Sequence, residues 1–287
     1  QAVHLRGCKF ASGAYVMSPA LEGAFTMVMG HHSYHHDTSA FPYSYLVEKE
    51  GRTHLMPGAN LTSFGAVRDI EKWPARDRRS VKRDVISFDE YNPYITGSML
   101  QAVDILHSLQ EQDPDAPVFT YNKTLIRSSA LQRGLKLYNK VIVAALGAML
   151  AKGGSDPHYD GDGQWLDVGG QYITRRETEA ILAAVDRGEL ATTDAMDNRF
   201  RVFAVHYDDY AHSWAKQVYA ALLGHTPTVD EIDEAISAGH NAHASMRRTT
   251  DADRDRDCSL DMAVSYGLDC TSEEERREDY YSVRGLK

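Results

Sequence analysis

Four of the thirteen histidines fall within six residues, in Gly30-His31-His32-Ser33-Tyr34-His35-His36-Asp37-Thr38. A neutral imidazole near pH 7 takes a proton, gives one, or holds a metal. Core packing wants one histidine at a time, so a cluster this dense marks a candidate site. On a helix, His31 and His35 would share a face, as would His32 and His36. On a strand, neighbours would point to opposite faces. At least two imidazoles converge in either case. One expectation is a general base, oriented by Asp37, that draws a proton from a hydroxyl or amine. Another is a metal held by two or three imidazoles and a carboxylate, although no His-x-His or HExxH spacing is present. The third is a polar surface turn. The sequence does not name a metal.

A basic segment follows. Arg76, Arg78, Arg79, Lys82 and Arg83, with Arg68 and Lys72 just before them, stand out in an acidic chain. Arginine forks bind phosphate through two parallel hydrogen bonds. A phosphorylated sugar, a nucleotide or coenzyme A would fit. The alternative is a charged face that pairs with Asp69, Glu71, Asp77 and Asp84.

Other candidates are weaker. Asp160-Gly161-Asp162-Gly163 has part of a calcium-loop pattern but lacks its downstream glutamate, which favours a tight turn. His240 and His243 are spaced to share a helix face, and core or capping roles suit them. His206 and His212 read as structural. Cys8 would be a nucleophile only beside a histidine, and a buried inert thiol is the default. No P-loop, dinucleotide glycine motif or Gly-x-Ser-x-Gly elbow occurs, so no cofactor is named.

Composition bounds the rest. The chain has 287 residues, 43% apolar and 25% charged, which fits a globular protein with a sizeable core. A net charge of −10 argues against nucleic acid as the main partner. Three separated cysteines without a CxxC pair suit a reducing, cytoplasmic compartment. The best apolar run, Val141 to Leu150, is too short for a membrane helix. The chain opens on Gln1, not Met, and reads as part of a longer protein.

The elements that must position these residues divide at about residue 60. Residues 1–60 are β-rich. Leu5, Ala11, Met17, Gly23 and Met29 recur every six residues, the period of a left-handed β-helix. Tyr43–Val47 and Thr53–Met56 form a hairpin across Glu48–Arg52. Residues 61–287 are mainly helical. Asn60 or Thr62 caps a helix carrying Phe64, Val67 and Ile70, which Pro74 stops. Further helices carry Leu100 to Leu109 and Leu125 to Leu150, the second ended by Gly153-Gly154. A hairpin pairs 164–168 with 171–173. Thr174-x-x-Glu177 and Thr228-x-x-Glu231 are capping boxes. Met196 to Trp214 form one broad apolar stripe. Residues 251–257, alternating Asp and Arg, read as a solvated loop, and the C-terminal stretch docks at the surface.

Several runs carry a resemblance: Lys9-Phe10-Ala11-Ser12, Gly30-His31-His32, Phe41-Pro42-Tyr43-Ser44-Tyr45-Leu46, Met56-Pro57, Arg68-Asp69-x-x-Lys72-Trp73-x-x-Arg76-Asp77-Arg78-Arg79 and Trp165-Leu166-Asp167-Val168-Gly169-Gly170. The chain resembles a family of large uncharacterised bacterial proteins. In these a left-handed β-helix, similar to hexapeptide acyltransferases and sugar nucleotidyltransferases, precedes a helical region. The resemblance implies an α+β chain that begins at the end of a β-helix, adds a hairpin and continues as a helical domain. It implies acyl or nucleotidyl transfer to a sugar, sugar phosphate or nucleotide sugar. His31, His32, His35 or His36 would be the base, Asp37 its orienter, and Arg68, Lys72, Arg76, Arg78 and Arg79 the phosphate contacts. Two other functions compete. One is a helical assembly module, a homo-oligomer joined through Met196 to Trp214. The other is a metal-dependent hydrolase or lyase at the histidines.

Overall fold

The computed structural model describes residues 1–153, 158–262, 264 and 266–284. The chain is α+β. Short strands come first: β1 (Ala2–His4), β2 (Lys9–Phe10), β3 (Tyr15–Val16), β4 (Ala20–Glu22), β5 (Met27–Met29), β6 (His31–His32) and β7 (Asp37–Thr38). Two longer strands, β8 (Tyr45–Lys49) and β9 (Arg52–Met56), form the expected hairpin. β1, β4 and β7 stack in parallel in one sheet and β3 and β6 in another. A six-stranded sheet runs β10-β11-β9-β8-β5-β2, where β10 is Val118–Tyr121 and β11 is Thr124–Arg127.

That last sheet is mixed. β2, β5 and β8 are parallel, whereas β8–β9 and β10–β11 are antiparallel. A left-handed β-helix end is therefore not shown, and the expectation over residues 1–60 is corrected to mixed sheets. The spacing of partners is irregular too, with Ala2 opposite Ala20 but Tyr15 opposite His31. Of the five proposed inward positions Gly23 is buried, whereas Leu5, Ala11, Met17 and Met29 are only half-buried. Glu22, Val28, His32 and Thr38 are buried instead. The residues of the faint six-residue period therefore do not share one buried face.

The helices are α1 (Phe64–Arg76), α2 (Pro93–Gln112), α3 (Ser128–Ala151), α4 (Arg175–Asp186), α5 (Thr193–Val205), α6 (Tyr207–Leu223), α7 (Val229–Arg256) and α8 (Glu273–Arg284). The hairpin β12 (Trp165–Val168) and β13 (Gln171–Thr174) leads into α4. Ser63 caps α1 by accepting from the Gly65 amide at 3.1 Å, while Asn60 lies in a preceding 3-10 turn. Pro74 sits inside the last turn of α1, where it offers no amide to the Ile70 carbonyl, and the helix ends two residues later. Residues 124–127 pair as β11, so α3 starts later than its apolar pattern suggests. Gly153 lies just past its end at φ +64°, and Gly154 lies outside the described residues.

Residues 251–256 are helical, the end of α7, and not a loop. Arg254 pairs with Asp251 at 3.0 Å and Arg256 with Asp253, each one turn apart. An alternation that looks like a solvated coil thus becomes a set of ion pairs along the helix. Asp253 also accepts from the Phe64 amide at 3.0 Å, joining α7 to α1.

One apolar cluster runs from Ala24 and Val28 in the strands to Trp214 and Met246 in the helices. α3 is its centre. It is long and apolar enough to cross a membrane, yet Leu131, Leu135, Tyr138, Ile142, Leu146 and Met149 are buried within the molecule. α3 and α7 meet at backbone distance. A Cβ added to Gly147 would lie 2.7 Å from the Gly239 Cα and 2.7 Å from the Ala235 carbonyl oxygen. The stripe from Met196 to Trp214 is split between α5 and α6 at His206, with Phe203 and Trp214 buried in the core.

Candidate functional site

The strands divide the histidine cluster: His32 and His36 converge inside the protein, with ring centroids 5.8 Å apart, whereas His31 and His35 face outward. His31 and His32 are neighbours in β6, so His31 is exposed and His32 is buried. His35 is exposed and His36 is buried. His32 Nδ1 lies 3.0 Å from Thr53 Oγ1, and its Nε2 meets no hydrogen-bond partner among the described residues. Burial, and then the neighbouring His36, push the His32 imidazole below its ordinary value, which holds it neutral.

His36 spans two acceptors. Its Nδ1 is 3.2 Å from the Tyr34 carbonyl oxygen and its Nε2 is 2.8 Å from Glu22 Oε1. A carbonyl only accepts, so Nδ1 carries a hydrogen, and a proton must also lie between Nε2 and Glu22. The other Glu22 oxygen meets His4 Nδ1. A fully buried carboxylate therefore bridges two imidazoles. The parallel pairing of β4 with β7 places Glu22 opposite Thr38, next to this cluster. Nothing in the local spacing announced that long-range neighbour.

Asp37, expected to orient an imidazole, turns elsewhere. Its Oδ1 accepts from the Ser39 amide at 3.0 Å and the Ser39 hydroxyl at 2.6 Å. Glu22 holds the position that the sequence reading assigned to Asp37.

The basic segment is divided as well. Arg79 forks onto Asp77 at 2.9 and 2.8 Å and reaches Asp84 at 2.7 Å. Its hydrogen bonds hold the Asp77 carboxyl well below the usual range. Arg76 and Arg78 are exposed beside this local pairing. Arg68 and Lys72 lie on α1 with Asp69, which is 6% exposed. Lys72 Nζ is 2.7 Å and Arg68 Nη2 3.4 Å from Asp69 Oδ1, and Lys9 pairs with the other oxygen.

Asp69 forms one wall of a cleft of about 540 Å³. Five stretches distant in sequence meet there. Arg6 to Lys9 come from the β1–β2 turn and the start of β2, Phe25 from the β4–β5 turn, Ile70 and Trp73 from α1, Ile86 and Phe88 from the strap 77–92, and Asp167 and Gly170 from the β12–β13 hairpin. Arg6 ties three of them together. Its guanidinium forks onto Asp167 at 2.7 and 2.8 Å, donates to the Ser87 and Gly170 carbonyls, and lies 4.2 Å over the Tyr172 ring. Trp73 is 56% exposed at this cleft, whereas Trp165 and Trp214 are buried.

Three points bear on its chemistry. Cys8 donates to the Gly23 carbonyl at 3.2 Å, and burial pushes its thiol up to about 12, so it is no nucleophile at neutral pH. Asp167 is engaged by Arg6, and Asp69 carries three cations. The cleft lining balances two cations, Arg6 and Lys9, against two carboxylates, Asp69 and Asp167, beside the exposed Trp73 indole.

Among the described residues no group of three or more His, Cys, Asp or Glu side chains converges to hold a metal. Asp160 spends its oxygens on the Asp162 amide, Gln217 and Arg176, at 3.0, 3.0 and 2.9 Å, as a tight turn does. His243 Nδ1 meets the Tyr91 hydroxyl at 2.7 Å, and His206 Nε2 meets Tyr159 at 3.0 Å. His212 Nδ1 lies 3.2 Å from the Leu150 carbonyl.

Residues 1–110 match a domain of unknown function, DUF4954, and residues 150–286 match a second domain of unknown function, DUF6819. No curated protein and no solved structure matches the chain. The resemblance to hexapeptide acyltransferases and sugar nucleotidyltransferases is thereby corrected: the sheets are mixed, and the two matching domains carry no assigned activity.

Proposed function

We propose that the chain binds a small phosphorylated molecule in the cleft beside Trp73. The observation that carries this is the charge around Asp69. Three cations, Lys9, Arg68 and Lys72, surround one carboxylate; Lys9 and Asp69 line the cavity, and Arg68 and Lys72 reach Asp69 from α1. The surplus attracts a phosphate, and Trp73 with Phe88 offers apolar surface to a sugar or base. This reading retains the substrate class, and Arg68 and Lys72, of the expected transferase. It assigns the cleft to binding because the Cys8 thiol, Asp69 and Asp167 are all committed to other contacts.

Calorimetric titration with a hexose phosphate and a nucleoside monophosphate tests it. One of the two binds with 1:1 stoichiometry, and Lys9→Ala with Lys72→Ala weakens it at least tenfold. Absence of heat with both, or equal affinity in the double variant, would refute the reading.

A second reading is self-association through strand edges. β1, β2 and β3 are each the outermost strand of their sheet, and Val3, Phe10 and Tyr15 on them are exposed at 47%, 42% and 48%. Unpaired strand edges accept further strands, and a second copy presents the same three edges at the same spacing. Light scattering should then give a dimer that Phe10→Lys and Tyr15→Lys dissociate. A monomer at high concentration contradicts it.

A further inference from the structure

A groove of about 420 Å³ lies between the β8–β9 hairpin and the start of α3. Strand register creates it. Val47 of β8 stands opposite His54 of β9, and Leu125 of β11 pairs with His54 from the other side. β11 ends at Arg127 and α3 begins at the next residue. Lys49, His54, Arg127 and Arg133 therefore line one groove, over apolar Val47 and Met56. These residues come from three separate stretches of chain, so no local charge run reveals them.

The groove concentrates positive charge in a chain of net charge −10, and none of its lining residues is acidic. Neither Arg127 nor Arg133 belongs to an ion pair among the described residues. Arg133 is steadied by a 3.3 Å hydrogen bond from its Nη2 to Thr62 Oγ1. Glu50, at the hairpin turn, reaches Lys49 at 3.8 Å. His54 senses the field: burial, then the charges of Arg127 and Lys49, push its imidazole down.

We propose that this groove is a second anion site, which takes the phosphate of a small phosphorylated molecule between Arg127 and Arg133. Two guanidinium forks suit the several oxygens of a phosphate. Lys49 adds a point charge at the rim, and the apolar floor seats the carbon skeleton.

The His54 imidazole is the reporter, followed by NMR while inorganic phosphate is added. A bound anion favours the imidazolium, so phosphate raises the His54 titration midpoint saturably. Chloride at equal ionic strength serves as the control for screening. Arg127→Gln with Arg133→Gln weakens the response at least tenfold, whereas Lys9→Ala and Trp73→Phe leave it unchanged, which separates this site from the cleft. The proposal is overturned if phosphate moves His54 no more than chloride does. It is equally overturned if the double variant responds like the parent chain, or if the cleft variants abolish the response.

Discussion

At the scale of single residues, the histidine cluster resolves into two buried and two exposed imidazoles with different tasks. His32 is held neutral by burial, so its folded value lies below the ordinary ~6.5. Above that ordinary value both folded and unfolded chains carry a neutral His32, and its contribution to stability is complete. As the pH falls below ~6.5, the unfolded chain takes a proton that the folded chain refuses, and stability drops. Denaturant midpoints measured between pH 8 and pH 5 should therefore fall, and His32→Gln should flatten the slope. A slope unchanged in that variant contradicts the assignment. Glu22 matters more for integrity. It is fully buried between His4 and His36. Glu22→Ala strands His36 Nε2 without its partner and should cost about 3–5 kcal/mol in chemical denaturation, the range for half of a buried pair. A loss below about 1 kcal/mol would show that the network is solvated. The histidines were plain in the sequence, but Glu22 was not. Its proximity comes from parallel strand pairing between distant turns, and no local spacing encodes that.

At the scale of elements, much of the helical part was legible because its signals are local. Thr174 caps α4 and Thr228 caps α7, the latter with the full reciprocal box to Glu231. Gly224 ends α6 at φ +77°. The misread stretches are those where tertiary contacts decide. Residues 251–256 are helix, tied to α1 where Asp253 accepts from the Phe64 amide, and their Asp–Arg alternation supplies local ion pairs one turn apart. Residues 124–127 became a strand because β9 and β10 were there to pair with. The contact of α3 with α7 depends on two glycines that attracted no notice in the sequence. Gly147→Ala should force the helices apart and lower stability by about 1–3 kcal/mol, read as a lower thermal midpoint. Gly239→Ala should do the same. An unchanged midpoint in both would mean that the helices slide past each other at little cost.

At the scale of the whole molecule, the cleft exists because five distant stretches meet, and Arg6 holds three of them. Arg6→Ala leaves Asp167 half-sequestered without its fork and frees the Ser87 and Gly170 carbonyls. Stability should fall by about 3–5 kcal/mol, and proteolysis should open first in the strap 77–92. Cleavage elsewhere first would contradict this role. In the sequence Arg6 is one cation among many, and only its long-range partners distinguish it. Arg68 and Lys72 were visible as part of a basic run, but Lys9, which completes their charge around Asp69, lies in another element. The most direct test of the account is the fluorescence of Trp73, the exposed tryptophan at the cleft. Titration with a hexose phosphate and a nucleoside monophosphate should give a saturable change in emission with one of them, which Trp73→Phe abolishes. Unchanged emission with both ligands at millimolar concentration, or a change that persists in Trp73→Phe, would contradict binding in this cleft.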